Sequence, residues 1–120
     1  MLFSREQSHR LSIMSISPNP KRTVAELKEL RALTGNEDGA QRVAFTDVWL
    51  KARGWLRQKV VGLPLEIHED AAGNTWFTLR GESEKALLIG GHIDSVPNGG
   101  WLDGCINVIA GIEVLRRINA

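Results

Sequence analysis

Residues 86–104 read Ala86-Leu-Leu-Ile-Gly-Gly91-His92-Ile-Asp94-Ser-Val-Pro97-Asn-Gly-Gly100-Trp-Leu-Asp103-Gly104. A continuous apolar run, Ala86 to Gly91, suits a strand covered on both faces. After the loop, Ile106, Val108, Ile109, Ile112, Leu115 and Ile118 recur at helical spacing. They predict a helix from Ile106 to about Ile118, with Arg116 and Arg117 favourably placed near its C-terminus. Strand, loop, helix puts the polar loop at the carboxyl end of a strand, where ligands gather in open α/β sheets.

Upstream, Ser15-Ile-Ser-Pro-Asn-Pro20 reads as a lead-in that cannot sustain a helix. Thr23, with Glu26 three residues on, forms a capping-box pattern. The helix it predicts carries Val24, Leu27, Leu30 and Leu33 on one face and ends at Gly35. Asn36 to Gly39 reads as an exposed polar stretch. A second helix is expected from Thr46 or Asp47 to about Gly62, with Trp49, Leu50, Leu56 and Val60 inward and Trp55 packing on the core. The period then changes. Leu65 and Ile67 alternate with Glu66 and His68, Asp70 to Asn74 is a turn, and Thr75 to Leu79 is the return strand. Helix, helix, hairpin, strand, helix is an α/β arrangement.

Composition narrows the function classes. Fifteen Lys and Arg against fourteen Asp and Glu give a net charge of +1, and no basic block stands out, which gives nucleic-acid binding no support. A hydrophobic fraction of 42% supports a packed core. One cysteine, Cys105, excludes an internal disulfide and suits a reducing compartment, so a cytoplasmic location is expected. No apolar run approaches a membrane span, and Met1 to Ser17 lacks the apolar stretch of a signal peptide. Residues 1–20 are expected to form a disordered extension, within which Met14 is an alternative start.

The loop concentrates the chemistry. If strand geometry continues through it, His92 and Asp94 leave the same face. Asp94 can then hold one imidazole nitrogen and aim the other at a metal. Asp103, eleven residues beyond His92, has two oxygens with which to bridge two cations. Each residue also has a plainer reading. A His-x-Asp pair can be a structural hydrogen bond, and Asp103 can be a helix N-cap. Cys105 reads as a small buried residue, His68 as a solvated strand residue, and His9 as part of the loose terminus. The loop carries neither a G-x-G-x-x-G nor a Gly-Lys-Ser/Thr phosphate cradle, and no G-x-S-x-G serine elbow.

Gly91 to Gly100, then Asp103-Gly104 and an apolar helix with Ala110-Gly111, resembles the M20-type metallohydrolases. The short spacer 95–102 is similar to the branch holding N-carbamoyl-L-amino-acid hydrolases, β-ureidopropionases and allantoate amidohydrolases. Arg42-Val-Ala-Phe-Thr46 and Asp70-Ala-Ala-Gly-Asn74 also look like that branch, so the resemblance covers about residues 30–119. Cys105 and Asn107 depart from it, standing where small residues are common.

The resemblance implies that residues 21–120 are the N-terminal portion of a three-layer α/β/α catalytic domain. It makes His92 a ligand of one metal, Asp103 the carboxylate bridging two, and Asp94 the catalytic-site aspartate that orients His92. The cofactors implied are two divalent ions, Zn²⁺ or Mn²⁺, with Co²⁺ and Ni²⁺ also admissible. The function implied is hydrolysis of linear C–N bonds in N-carbamoyl amino acids or allantoate-like substrates, with a homodimer as the full-length assembly. In that family the general-base Glu, a further Glu ligand and two His ligands come later, beyond Ala120. This chain alone is therefore expected to be inactive, to bind metal weakly, and to self-associate through an uncovered strand. Two alternatives stay open: a non-catalytic packing or interaction module, and an M20 peptidase or N-acyl-amino-acid deacylase.

Overall fold

The computed structural model describes residues 17–120. His9, Met14 and most of the expected terminal extension lie outside the described residues. The elements are helix α1 (Pro20–Thr34), a miniature hairpin β1 (Gly35–Asn36) and β2 (Gly39–Ala40), helix α2 (Asp47–Lys59), a hairpin β3 (Leu65–Glu69) and β4 (Thr75–Leu79), and helix α3 (Cys105–Ile118).

Helix α1 starts earlier than the capping-box pattern indicates. Asn19 is the cap, its side chain accepting the Arg22 N–H at 3.2 Å. Pro20 occupies the first helical position, where its missing N–H is harmless and its fixed φ helps. The proline that seemed to bar a helix begins one. Glu26 therefore caps nothing. It accepts both arms of Arg116 from α3, at 2.8 and 2.9 Å. Helix α2 starts as expected, with Thr46 Oγ1 accepting the Trp49 N–H at 3.3 Å.

The three helices bury one another's apolar faces. Leu27 and Leu30 of α1 meet Ala52 and Leu56 of α2, with Val60, Ile93, and Cys105, Ile109 and Ile112 of α3. Each fully buried Leu or Ile contributes about 1.5–3 kcal/mol relative to exposure. Trp49 and Trp55 pack against this core partly buried. Val24, Leu50, Ile106 and Ile118, expected inward, are exposed. The buried stripes are narrower than the apolar patterns because each helix meets its neighbours along one seam.

An ionic clamp locks α1 to α3. The buried Glu113 carboxylate accepts the Asn19 N–H and the Arg22 Nε at 2.7 Å each, and Arg117 Nε at 3.0 Å. Burial pushes this carboxyl up, but those three donors outweigh it and hold the group below its usual range.

The β3–β4 hairpin has the expected strands, with Leu65 opposite Leu79 and Glu69 opposite Thr75. One expected strand is absent. Residues 86–91 join no ladder, and Leu87 and Leu88 are 87% and 66% exposed. A helix satisfies its own backbone groups, whereas a strand needs a neighbour. The two sheets among the described residues have two strands each, and neither reaches this segment. Among the described residues the fold is the expected mixed helix and strand arrangement, with segment 86–91 forming no strand.

Candidate metal centre

The loop 92–104 is held from both ends. Ala40 and Gly99 exchange N–H···O bonds of 2.9 and 3.0 Å, bridging β2 to the loop. Ser95 donates its N–H to the Arg42 carbonyl at 2.9 Å, and its Oγ accepts the Arg42 N–H at 3.0 Å. The Arg42 side chain is fully buried. Its Nε donates to the Ile93 carbonyl at 2.7 Å and its Nη1 to Thr34 Oγ1 at 3.2 Å. Nη2 reaches the Trp101 carbonyl at 3.5 Å and Cys105 Sγ at 3.6 Å.

Within this frame the three expected residues come together. His92 Nδ1 lies 3.1 Å from Asp94 Oδ1 and 3.2 Å from the Asp94 carbonyl. Both neighbours are acceptors, so Nδ1 carries a hydrogen. His92 Nε2 lies 3.7 Å from Asp103 Oδ2, too long for a direct hydrogen bond. An imidazole lone pair facing a carboxylate is repulsive unless something positive stands between them. A cation between the two would supply that charge.

Asp103 is not a helix cap. Gly104 takes that place, no side chain caps the helix, and the Asp103 side chain is 82% exposed. Gly104 adopts φ +67°, and a Cβ there would overlap the His92 ring. A Cβ at Gly91 would stand 2.5 Å from the Gly104 carbonyl oxygen. The chain before His92 and the start of α3 therefore approach as closely as they do only because both positions lack a side chain.

These donors fit part of a cation site. Imidazole nitrogen and carboxylate oxygen suit Zn²⁺ or Mn²⁺, and the orienting carboxylate is in place. A catalytic zinc takes about three protein ligands, and among the described residues no three His, Cys, Asp or Glu are arranged to hold one ion, Asp94 facing the other ring nitrogen of His92. Cys105 is a buried thiol that donates to the Trp101 carbonyl at 3.0 Å, and burial pushes its pKa up, which suits packing and not nucleophilic attack. His68 sits on β3, stacked on Trp76 at 6.1 Å, away from the loop's chemistry. Arg42 and Thr34, which organise the loop, carry no sequence signal of burial: one is charged, the other ends an amphipathic helix.

No family model matches the chain. It is 37% identical over 83 residues to the N-carbamoyl-L-amino acid amidohydrolase of Geobacillus stearothermophilus, covering 68% of this chain and 20% of that protein. It is 30% identical over 84 residues to the allantoate amidohydrolase of Bacillus subtilis, again covering 68% and 20%. The crystal structure of an amidase of the hydantoinase/carbamoylase family from Burkholderia phymatum superposes with a TM-score of 0.75 at 34% identity, covering 85% of this chain and 25% of that one. The chain spans about a fifth to a quarter of the length of the proteins it matches.

Proposed function

The chain belongs to the hydantoinase/carbamoylase family of amidohydrolases, and from that premise we propose that it carries part of the metal-binding face of a hydrolase of linear C–N bonds. The substrates are N-carbamoyl amino acids or allantoate-like ureido compounds. The observation that carries this reading is the orientation of His92: Nδ1 is held by Asp94 while Nε2 faces the exposed Asp103 carboxylate at 3.7 Å.

In this reading His92 Nε2 and the Asp103 carboxylate would hold the divalent cations. Asp94 fixes the imidazole tautomer and raises its basicity. Bound divalent cations would supply Lewis acidity toward water and the scissile carbonyl.

The test is hydrolysis of an N-carbamoyl-L-amino acid and of allantoate, with added Mn²⁺ or Zn²⁺, by protein containing this chain. Asp94→Asn should lower turnover about 10–100-fold, the usual effect of removing the partner of a ligating histidine. His92→Ala should abolish it. Hydrolysis of N-acyl amino acids or dipeptides instead would move the substrate class to the deacylases or peptidases. A second reading, a packing module without chemistry, is favoured by the lack of a three-ligand cluster among the described residues. Metal-dependent turnover lost in His92→Ala overturns it.

A further inference from the structure

We infer that Arg42 is the positioning residue of this site, setting the distance between His92 and Asp103 without touching substrate or metal. The inference rests on the metal-site reading and adds to it a residue distant in sequence from both ligands.

Arg42 meets the loop on both sides of the gap. Its Nε holds the Ile93 carbonyl, directly after His92, and its Nη2 reaches the Trp101 carbonyl, two residues before Asp103. Its backbone pairs with Ser95 in both directions, next to Asp94. Nη1 anchors the fork to Thr34 at the end of α1. One rigid planar group therefore links the His92–Asp94 half of the loop, the Asp103 half and the helical core. All its side-chain partners are neutral: two carbonyls, a hydroxyl and a thiol. A buried guanidinium with no carboxylate beside it is costly unless its hydrogen bonds are well made, so the fork is held to one geometry. Lysine cannot reproduce it, since an ammonium reaches these acceptors from a single point.

The experiment follows the His92 ring nitrogens by ¹⁵N NMR in the 120-residue chain, with and without Zn²⁺. In the parent chain Nδ1 should carry the proton and Zn²⁺ should shift Nε2. In Arg42→Met and in Arg42→Lys the ring should drift toward the tautomer mixture of free imidazole. The Zn²⁺ midpoint should rise about tenfold, as when a ligand's support is removed. A merely structural Arg42 would lower the melting temperature and leave the His92 tautomer unchanged in the folded variant, which overturns the inference. Full rescue by lysine overturns it too, since charge and not geometry would then suffice. Should Arg42→Met fail to fold, Thr34→Val removes the Nη1 acceptor and must shift the ring partway in the same direction; an unmoved ring contradicts the inference. Absence of any Zn²⁺ response in the parent chain defeats the metal reading alone, because the tautomer still reports on Arg42.

Discussion

Residues 82–90 and 92–101 flank Gly91 and differ in opposite senses. The first segment holds the apolar run, yet Leu87, Leu88 and Ile89 lie largely exposed and join no strand ladder. The second is polar and glycine-rich, yet it is fastened by Ala40, Arg42 and Ser95 through backbone and side-chain bonds. Apolar character indicates that a segment is meant to be covered, but partner groups decide whether it is placed. His92 stands at the junction, with its ring on the fastened side.

The largest effect should come from the core that seats the fastened segment. Ile109→Ala, at a fully buried position of α3, should cost about 2–5 kcal/mol in urea unfolding. Gly104→Ala comes next. Its positive φ and the His92 ring against it should cost about 1–3 kcal/mol and turn the imidazole away from Asp103. Ser95→Ala removes the acceptor of the Arg42 N–H and should cost about 1 kcal/mol. On the other side of Gly91, Leu88→Ser should change stability by no more than about 0.5 kcal/mol while reducing concentration-dependent light scattering. A cost of several kcal/mol for Leu88→Ser would show that the apolar segment is packed after all and would collapse the contrast.

The smallest effect concerns the β3–β4 turn, remote from the loop. Asp70 accepts from the Trp76 indole, the Asn74 side chain and backbone, and the Ala72 N–H, which lower its pKa to about 2. Its folded pKa lies below its ordinary value of 3.8, so its contribution to stability is present above that value and fades as pH falls toward 2. A titration of the Trp76 indole N–H by NMR should therefore break near pH 2. A break near 4 would show that the turn does not hold the carboxylate.

What was legible in the sequence follows the same physics. Helices α2 and α3 and the β3–β4 hairpin were readable because their signals are local: Thr46 at a cap, a period change at Leu65, a turn at Asp70 to Asn74. The start of α1 was misread because Pro20 can either end a lead-in or begin a helix, and only the Asn19 cap decides. The strand at 86–91 was expected from its own residues, but a strand depends on residues elsewhere. Asp103 looked like a cap by position. The cap fell to Gly104, leaving the carboxylate at the loop's surface. His92, Asp94 and Asp103 could be singled out together because they lie within one short loop, and the structure places Asp94 and Asp103 beside the two ring nitrogens of His92. Arg42 stood out only as part of a run resembling the family branch; its burial was not legible because its partners lie at Thr34, Ile93, Trp101 and Cys105, and no local pattern announces a buried guanidinium.

The measurement that tests the half-site most directly is a Zn²⁺ titration of the 120-residue chain, read at His92 by ¹⁵N NMR and compared with Asp103→Asn. Weak, saturable binding is expected, moving His92 Nε2 while Nδ1 stays protonated on Asp94, and lost when Asp103 loses its charge. An Nε2 that ignores Zn²⁺, or that responds equally with Asp103→Asn, would make His92–Asp103 an ordinary surface ion pair and contradict the metal centre.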